Sequence, residues 1–172
     1  RQLSRQTLDI SNGVAVLDLA DWESLNDGIV FPVIKAISDV SITSMSYATK
    51  SPAPNQVQLG IVVTHFKRKA YVLPAIERIS KELLTDSDIR DSVELIVVDN
   101  SSDIEPSESG KATVLPNRNL GGSGGFTRGL LHVKDNGFSH CLFMDDDASC
   151  EIDSIYRTYR LLQYAKEDRL AV

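Results

Sequence analysis

The sequence predicts an α/β domain with a doubly wound, mainly parallel sheet flanked by helices, preceded by part of a β-rich, β-sandwich-like module. From residue 57 onward, short apolar runs alternate with segments of helical periodicity, which is typical of repeated β-α-β units. Before residue 51, single apolar residues alternate with polar ones, which is typical of half-buried strands. The predicted boundaries are 1–52 for the β-rich module, 53–56 for a linker and 57–172 for the α/β domain.

The β-rich module is predicted from alternation and from turn-forming residues. Its candidate strands contain two alternating apolar pairs, Val14 with Val16 and Val40 with Ile42. The turn-forming sequences Asn12-Gly13 and Asn26-Asp27-Gly28 lie between them. Pro52 and Pro54 then interrupt both helix and strand, which indicates a linker. The chain starts with Arg, and residues 170–172 resemble the start of a buried strand, so we expect it to be truncated at both ends.

Four strands and three helices are predicted within the α/β domain. The strands are the apolar runs at 59–63, 93–98, 113–115 and 140–144, and runs without alternation indicate burial on both faces. The first helix spans 70–84, with Pro74 in its first turn, where the missing N–H is harmless. Its predicted inward residues are Val72, Leu73, Ile76, Ile79 and Leu83. The second helix spans 124–136 and ends before Gly137, with Phe126, Leu130 and Val133 inward. The third is capped by Asp153 and turns Ile155, Tyr159 and Leu162 inward.

Composition excludes several classes of protein. The 172 residues include 18 basic and 24 acidic side chains, a net charge of −6 that argues against nonspecific nucleic-acid binding. No apolar run approaches the roughly 20 residues that cross a bilayer. Two cysteines, Cys141 and Cys150, cannot build a disulfide scaffold or a four-ligand zinc site. We therefore expect a reducing, cytoplasmic compartment.

The residues after each strand are the candidates for binding, because ligands of open α/β sheets bind at the carboxyl ends of the strands. These residues are 64–68, 99–102 and 145–147. Three adjacent aspartates repel one another, and a divalent cation such as Mg²⁺ or Mn²⁺ would remove that repulsion. Strand geometry predicts that Asp145 and Asp147 project to one side and Asp146 to the other. A solvated acidic turn is the alternative.

Several further polar residues have two interpretations. Asp99 can accept from an N–H such as the uracil imide, or it can close an Asx turn with residues 100–102. Arg68 or Arg128 would suit a pyrophosphate, although most arginines are simply solvated. His65 is more typical of a structural histidine than of a catalytic one.

A glycine-rich segment at 119–128 begins a helix, and helix N-termini favour phosphate groups. Its four glycines in five residues would let the backbone approach a ligand, although such clusters are also found in plain loops. The segment fits neither the dinucleotide fingerprint nor the P-loop.

Four segments in this order resemble the family-2 glycosyltransferases of the GT-A fold, and most closely their galactofuranosyltransferase-like branch. They are VVTHFKR at 62–68, ELIVVDNSS at 94–102, NRNLGGSGGFTRG at 117–129 and FMDDD at 143–147. The resemblance covers residues 57–172, and residues 1–50 would match the end of the β-sandwich that precedes the catalytic domain in that branch. It implies inverting transfer of a sugar, such as galactofuranose from its UDP donor, to a glycan or lipid-linked glycan acceptor, with Mn²⁺ or Mg²⁺.

The resemblance also implies roles for particular residues. Asp99 would hold the uracil imide, Thr64 and Arg68 would line the nucleotide pocket, and Asp145 and Asp147 would serve the metal and the ribose. The residues implied along the diphosphate or donor sugar are Asn119, Gly121, Gly122, Gly124 and Arg128. The general base of the family lies well downstream of the metal motif, so we expect it beyond residue 172 and expect this excerpt to be inactive. The full-length protein would be cytoplasmic, with peripheral membrane contact.

Two rival functions remain. One is a non-catalytic carbohydrate-binding or scaffold module whose acidic cluster is a solvated turn. The other is a sugar-nucleotidyltransferase, in which the glycine loop directly follows the first strand of the domain. Here the glycine run comes about 60 residues after Val63, which disfavours that class.

Overall fold

The computed structural model describes residues 1–10, 13–19, 21–25, 28–148, 150–167 and 170–171. The chain divides into two compact units, Arg1–Ala48 and Thr49–Val172. The second unit contains the α/β fold and all the residues of the candidate site.

The sheet of the second unit has four parallel strands in the order β3-β2-β1-β4. They are β1 (Leu59–His65), β2 (Val93–Asp99), β3 (Thr113–Pro116) and β4 (His140–Asp145). The chain builds outward from β1 to β3 and then crosses to the other side of β1, so the order reverses between β1 and β4. All four predicted strands are confirmed, and each extends past its predicted end into polar residues or proline.

Helices cover both faces of this sheet. They are α1 (Lys69–Arg78, continued by a π-helical turn over Ile79–Leu83), α2 (Gly121–Asp135) and α3 (Ile152–Tyr164). Helices α1 and α3 share one apolar core with alternate residues of β1, whereas α2 packs on the opposite face against Val62, Ile96 and Val98. The predicted doubly wound α/β fold is therefore confirmed, and it is consistent with GT-A.

Two glycines let α2 lie close against β1. Gly125 and Gly129 are one turn apart, and a Cβ at either position would clash with Thr64 or with Val62 on the strand below. Gly60 of β1 receives Val133 of the same helix in the same way. These contacts fix the rotation of α2 about its axis, with Gly125, Gly129 and Val133 as its buried residues.

Three details of the predicted helices are wrong. Leu130 is 44% exposed, because it lies about 100° around the helix from Gly129, which faces the sheet. Pro74 is the sixth residue of α1, which begins at Lys69, so it lies beyond the first turn. Asp153 does not cap α3; Glu151 occupies that position without a side-chain bond, and Asp153 pairs with Arg157 at 2.6 Å.

The first unit contains no strand among its described residues, and a 3₁₀ turn at Trp22–Ser24 is its regular element there. The strands predicted around Val14 and Val40 are therefore not formed. A strand needs a neighbouring segment to pair its backbone, and no described segment pairs with these; Val14 is 78% exposed. The turn residues Asn12, Asn26 and Asp27 lie outside the described residues. The assignment of 1–52 to a β-rich module stays a prediction.

The segment predicted as a linker lies against the carboxyl end of α3. Asn55 donates from Nδ2 to the carbonyls of Leu162 at 3.1 Å and Ala165 at 2.7 Å, and from its backbone N–H to Gln163 at 3.1 Å. These bonds satisfy carbonyls that a helix end leaves unpaired. At the other end of the domain, Leu170 and Ala171 are not in a strand, and Val172 lies outside the described residues.

The close approach of α2 to β1 predicts opposite outcomes for two glycines of one helix. Replacing Gly129 with Ala drives a Cβ into Val62, whereas Gly122→Ala adds a methyl group with no other atom within 4 Å. Because both changes bring a similar gain in helix propensity, their difference reports packing. We expect Gly129→Ala to be less stable than Gly122→Ala by about 1–3 kcal/mol in urea unfolding. Equal stabilities would contradict the packing described here.

Candidate functional site

The candidate site lies at the carboxyl edge of the sheet. Backbone pairing places Thr64 of β1 beside Asp145 of β4, and His65 of β1 beside Asp99 of β2. The three predicted segments at 64–68, 99–102 and 145–147 are thus brought to one edge. The sequence predicted these segments as the binding edge because ligands of open α/β sheets bind at the carboxyl ends of the strands.

The acid triplet, Asp145–Asp147, has the alternating exposure predicted for it, but the strand does not continue through it: β4 ends at Asp145, and Asp146 and Asp147 lie in a turn closed by the N–H of Ala148 on the carbonyl of Asp145. Asp145 and Asp147 are exposed, whereas Asp146 is buried. Arg68 donates from Nη1 to Asp147 Oδ2 at 2.6 Å and to Asp146 Oδ1 at 3.3 Å. Hydrogen bonds to Asp147 and then to Asp146 raise the pKa of the Arg68 guanidinium above its ordinary value. Arg68 therefore compensates part of the charge of the triplet, while the carboxylate of Asp145 faces solvent.

Asp99 organises the loop that follows β2. Its side chain is 1% exposed, and its two oxygens accept four backbone N–H groups. Oδ1 accepts from Ser101 and Ser102 at 2.8 Å, and Oδ2 accepts from Asp103 and Ile104 at 2.9 Å. The observed contacts of Asp99 are therefore those of the alternative interpretation, in which it closes a turn. Its predicted bond to a uracil imide stays a prediction, and that bond would add a fifth donor.

Thr64 has an unsatisfied hydroxyl at the end of β1. Its Oγ1 is buried and has no hydrogen-bond partner among the described residues. It lies against Gly125 of α2, where an added Cβ would be 2.8 Å from this Oγ1 and 3.0 Å from Nδ2 of Asn100. Because buried hydroxyls are nearly always hydrogen-bonded, this one marks a position where a ligand or water can bind.

The first turn of α2 is open. Gly121 has a φ of +75°, its N–H donates to Asn119 Oδ1 at 3.0 Å, and neither Gly121 nor Gly122 has another group within 4 Å of a Cβ position. The first N–H groups of a helix have no partner within the helix, and the N-cap residue Leu120 supplies no side-chain bond to them, so Asn119 is the side chain that accepts one of them. Gly124 is covered by Leu120 instead. The glycine run thus serves two purposes: its start is accessible, and its later members pack on the sheet.

A pocket of about 360 Å³ opens beside this first turn. Its lining residues are Asn117, Leu120, Ser123, Gly124, Thr127, Arg128 and Leu131. Arg128 therefore lies on the α2 pocket and not on the acid triplet. A larger cavity of about 540 Å³, between α1 and residues 107–111, is lined by none of the predicted site residues.

A second acidic group lies near the triplet. Ligand atoms of His65, Asp99 and Asp103 all lie within 4.8 Å of one another, a spacing that could hold a metal ion. His65 Nε2 is 3.0 Å from Asp103 Oδ1, and both oxygens of Asp99 already accept backbone N–H groups. A cation there would have to displace these bonds, so the group serves the loop that follows β2.

Three residues of this edge have no assigned binding role among the sequence-based predictions. His65 and Asn100 lie within the candidate segments 64–68 and 99–102 without such a role, and Asp103 lies outside every motif. Asn100 is 6% exposed and accepts from Asn117 Nδ2 at 2.8 Å, which ties the ends of β2 and β3 together. The signal available in the sequence is their position at the end of buried strands, because His65 is the last residue of β1 and Asn100 directly follows β2.

None of the helices in the described parts of the chain is both long enough and apolar enough to cross a bilayer.

Comparison with known proteins agrees with this architecture. Residues 60–171 match the family described as Glycosyl transferase family 2. The chain is 27% identical over 158 residues to "Galactofuranosyltransferase GlfT2" of Mycolicibacterium smegmatis, covering 87% of this chain and 24% of that protein. It is 31% identical over 148 residues to the protein of the same name from Mycobacterium tuberculosis, covering 77% and 22%. The chain therefore spans about a quarter of the length of these curated relatives.

The matched region begins at the second residue of β1 and contains the rest of the sheet, all three helices and each of the four segments on which the resemblance depends. That resemblance, to a galactofuranosyltransferase-like member of the group, is confirmed by the relatives. The chain belongs to glycosyl transferase family 2.

Proposed function

We propose that residues 57–172 form the nucleotide-sugar-binding half of an inverting hexosyltransferase that uses a UDP-sugar donor, with galactofuranose as the transferred sugar. The observation that carries the proposal is the convergence of three unlike groups at one sheet edge. These are two exposed carboxylates, an arginine that bonds two members of the triplet, and an open helix N-terminus whose N-cap residue makes no side-chain bond. A nucleoside diphosphate needs such a set, because its charge must be met by a cation and by N–H donors.

The exposed carboxylates of the acid triplet fit a hard divalent cation. Asp145 and Asp147 offer oxygen ligands that suit Mn²⁺ or Mg²⁺, and such ions bind one or two carboxylates together with substrate phosphates. Asp146 is turned away and buried. A cation held by Asp145 and Asp147 would neutralise charge on the diphosphate leaving group. The group at His65, Asp99 and Asp103 fits less well, since both oxygens of Asp99 already accept backbone N–H groups and Nε2 of His65 is paired with Asp103.

The first turn of α2 supports the diphosphate proposal. Asp145 lies on the same face of the sheet as Thr64, and Thr64 is directly beneath Gly125 near the start of α2. The partial positive charge of the helix N-terminus therefore faces the neighbourhood of Asp145. Gly121 and Gly122 leave room for phosphate oxygens to approach the backbone. Asn119 fixes the entry to the helix.

Donor recognition is assigned to the ends of β1 and β2. The unpaired Thr64 hydroxyl faces the nucleotide, and Arg68 exchanges Asp147 for a phosphate oxygen when the donor binds. Asp99 acts through the loop at 101–104, whose backbone shapes the base site. Gly124 and Arg128 line the adjoining pocket, which is proposed for the donor sugar.

The proposed reaction is displacement at the anomeric carbon. An acceptor hydroxyl on a glycan or lipid-linked glycan attacks, the bond from carbon to the diphosphate oxygen breaks, and the configuration inverts. The acceptor proton passes to a base, for which no residue of this edge is assigned, because its exposed carboxylates serve the cation. A UDP-sugar donor agrees with the cytoplasmic, membrane-peripheral location expected from the sequence.

Removing the exposed carboxylates should remove cation-dependent donor binding. We expect Asp145→Asn with Asp147→Asn to weaken binding of UDP by at least about tenfold in the presence of Mn²⁺, measured by titration calorimetry. Asp135→Asn is the matched control, since Asp135 is exposed at the far end of α2. Unchanged Mn²⁺-dependent binding in the double variant would favour the non-catalytic scaffold.

A charge placed in the first turn of α2 should separate stability from binding. Gly122→Glu puts an anion where the helix dipole favours one, so we expect stability equal to or greater than that of Gly122→Gln. The same carboxylate should repel a diphosphate, and we expect UDP affinity at least about tenfold below that of Gly122→Gln. Equal UDP affinities for the two variants would show that the diphosphate does not bind at this turn.

The choice of nucleotide tests the sugar-nucleotidyltransferase alternative. That class binds a nucleoside triphosphate through a glycine loop after its first strand, whereas the glycine run here opens α2 after β3. We expect UDP to bind at least as tightly as UTP in the same Mn²⁺ buffer. A clear preference for UTP would contradict the glycosyltransferase assignment of the site.

A further inference from the structure

His65 is an unusual residue for the end of a buried strand. It occupies a position on the face of β1 that is otherwise apolar, and its side chain is 0% exposed. Its backbone carbonyl accepts the N–H of Asn100 at 2.9 Å. An imidazole at such a position carries two polar atoms into the interior, and each of them needs a partner.

One ring nitrogen holds the loop that follows β2. Nε2 lies 3.0 Å from Asp103 Oδ1, within hydrogen-bond distance. The backbone N–H of Asp103 in turn donates to Asp99, so this side of the ring joins the network that shapes residues 101–104. A purely structural role would be complete with this contact.

The other ring nitrogen points to the acid triplet. Nδ1 is buried without a hydrogen-bond partner among the described residues, and its nearest acidic atom is Asp146 Oδ2 at 3.7 Å. The other oxygen of Asp146 accepts from Arg68. His65 thus contacts an acid on each side: Asp103 in the loop that follows β2, and Asp146 in the acid triplet.

We propose that His65 is a positioning residue for the acid triplet. Its ring holds Asp146 in place, Asp146 holds the guanidinium of Arg68, and the flanking Asp145 and Asp147 are thereby kept facing outward. The contact from Nδ1 to Asp146 Oδ2, at 3.7 Å, would shorten to a hydrogen bond when a cation binds Asp145 and Asp147. The consequence for donor binding rests on the proposed function, whereas the positioning of Arg68 and Asp146 does not.

Replacing His65 with Gln or Asn tests the contacts of its two ring nitrogens separately. The amide of His65→Gln reaches the position of Nε2 and keeps the Asp103 contact, while the Nδ1 contact is lost. The shorter His65→Asn places its amide near the Nδ1 position, toward Asp146, and loses the reach to Asp103. Asp146→Asn and the double variant with His65→Gln complete a cycle that isolates the pair.

The first measurement needs no ligand. Signals of the Arg68 side chain and of the backbone at 145–147 are followed by NMR in each variant of the whole chain. We expect His65→Gln to shift these signals and to loosen the Arg68 guanidinium, His65→Asn to retain most of the parent pattern, and the changes from His65→Gln and Asp146→Asn to be non-additive. If His65→Gln leaves Arg68 and the triplet unchanged while the chain stays folded, the proposal is overturned. It is also overturned if the two substitutions act additively.

The second measurement separates this proposal from the proposed function. UDP binding is titrated with and without Mn²⁺, and we expect His65→Gln to weaken the Mn²⁺-dependent part about tenfold, with unfolding midpoints close to the parent. If the parent shows no Mn²⁺-dependent UDP binding, the proposed function fails, and the NMR result decides the positioning role alone. If His65→Gln binds Mn²⁺ and UDP like the parent, the proposed consequence for donor binding is overturned.

Discussion

The concentration of acidic groups at one edge of the sheet is the constraint on which the site depends. Asp99, Asp103 and the acid triplet place five carboxylates around the ends of three strands. Carboxylates this close destabilise one another unless hydrogen bonds or opposite charges compensate them. The chain meets this need in three ways: four backbone N–H groups for Asp99, the ring of His65 for Asp103, and Arg68 for Asp146 and Asp147.

The position of α2 depends on a different constraint, which is that two of its residues facing β1 are glycines without a side chain. Gly125 and Gly129 bring the helix axis close to β1, and this approach sets the open first turn above Thr64. The helix N-terminus then adds partial positive charge on the face of the sheet that carries Asp145. One glycine-rich segment therefore determines both where the helix packs and where an anion can approach it.

The order of strands and helices in the α/β domain was predictable, because each element carries its own periodicity. The common position of residues 64–65, 99 and 145 was also predictable, because parallel strands end at one edge of a sheet. The failures are of two kinds. Val14 and Val40 have the local pattern of strands, but pairing requires a second segment that local pattern cannot supply. The partners of His65, namely Asp103 and Asp146, lie 38 and 81 residues away, so only the folded chain shows them together.

The acid triplet shows how the end of a strand gives three identical side chains different degrees of exposure. Met144 and Asp146 are buried, whereas Asp145 and Asp147 are exposed; β4 ends at Asp145, and Asp146 and Asp147 lie in a turn closed by the N–H of Ala148 on the carbonyl of Asp145. Three identical side chains thus become one buried carboxylate and two exposed ones. The buried member must be paired, because an isolated charge there would be strongly destabilising. The pairing of Asp146 with Arg68, beside His65, therefore compensates the buried carboxylate while the other two stay exposed.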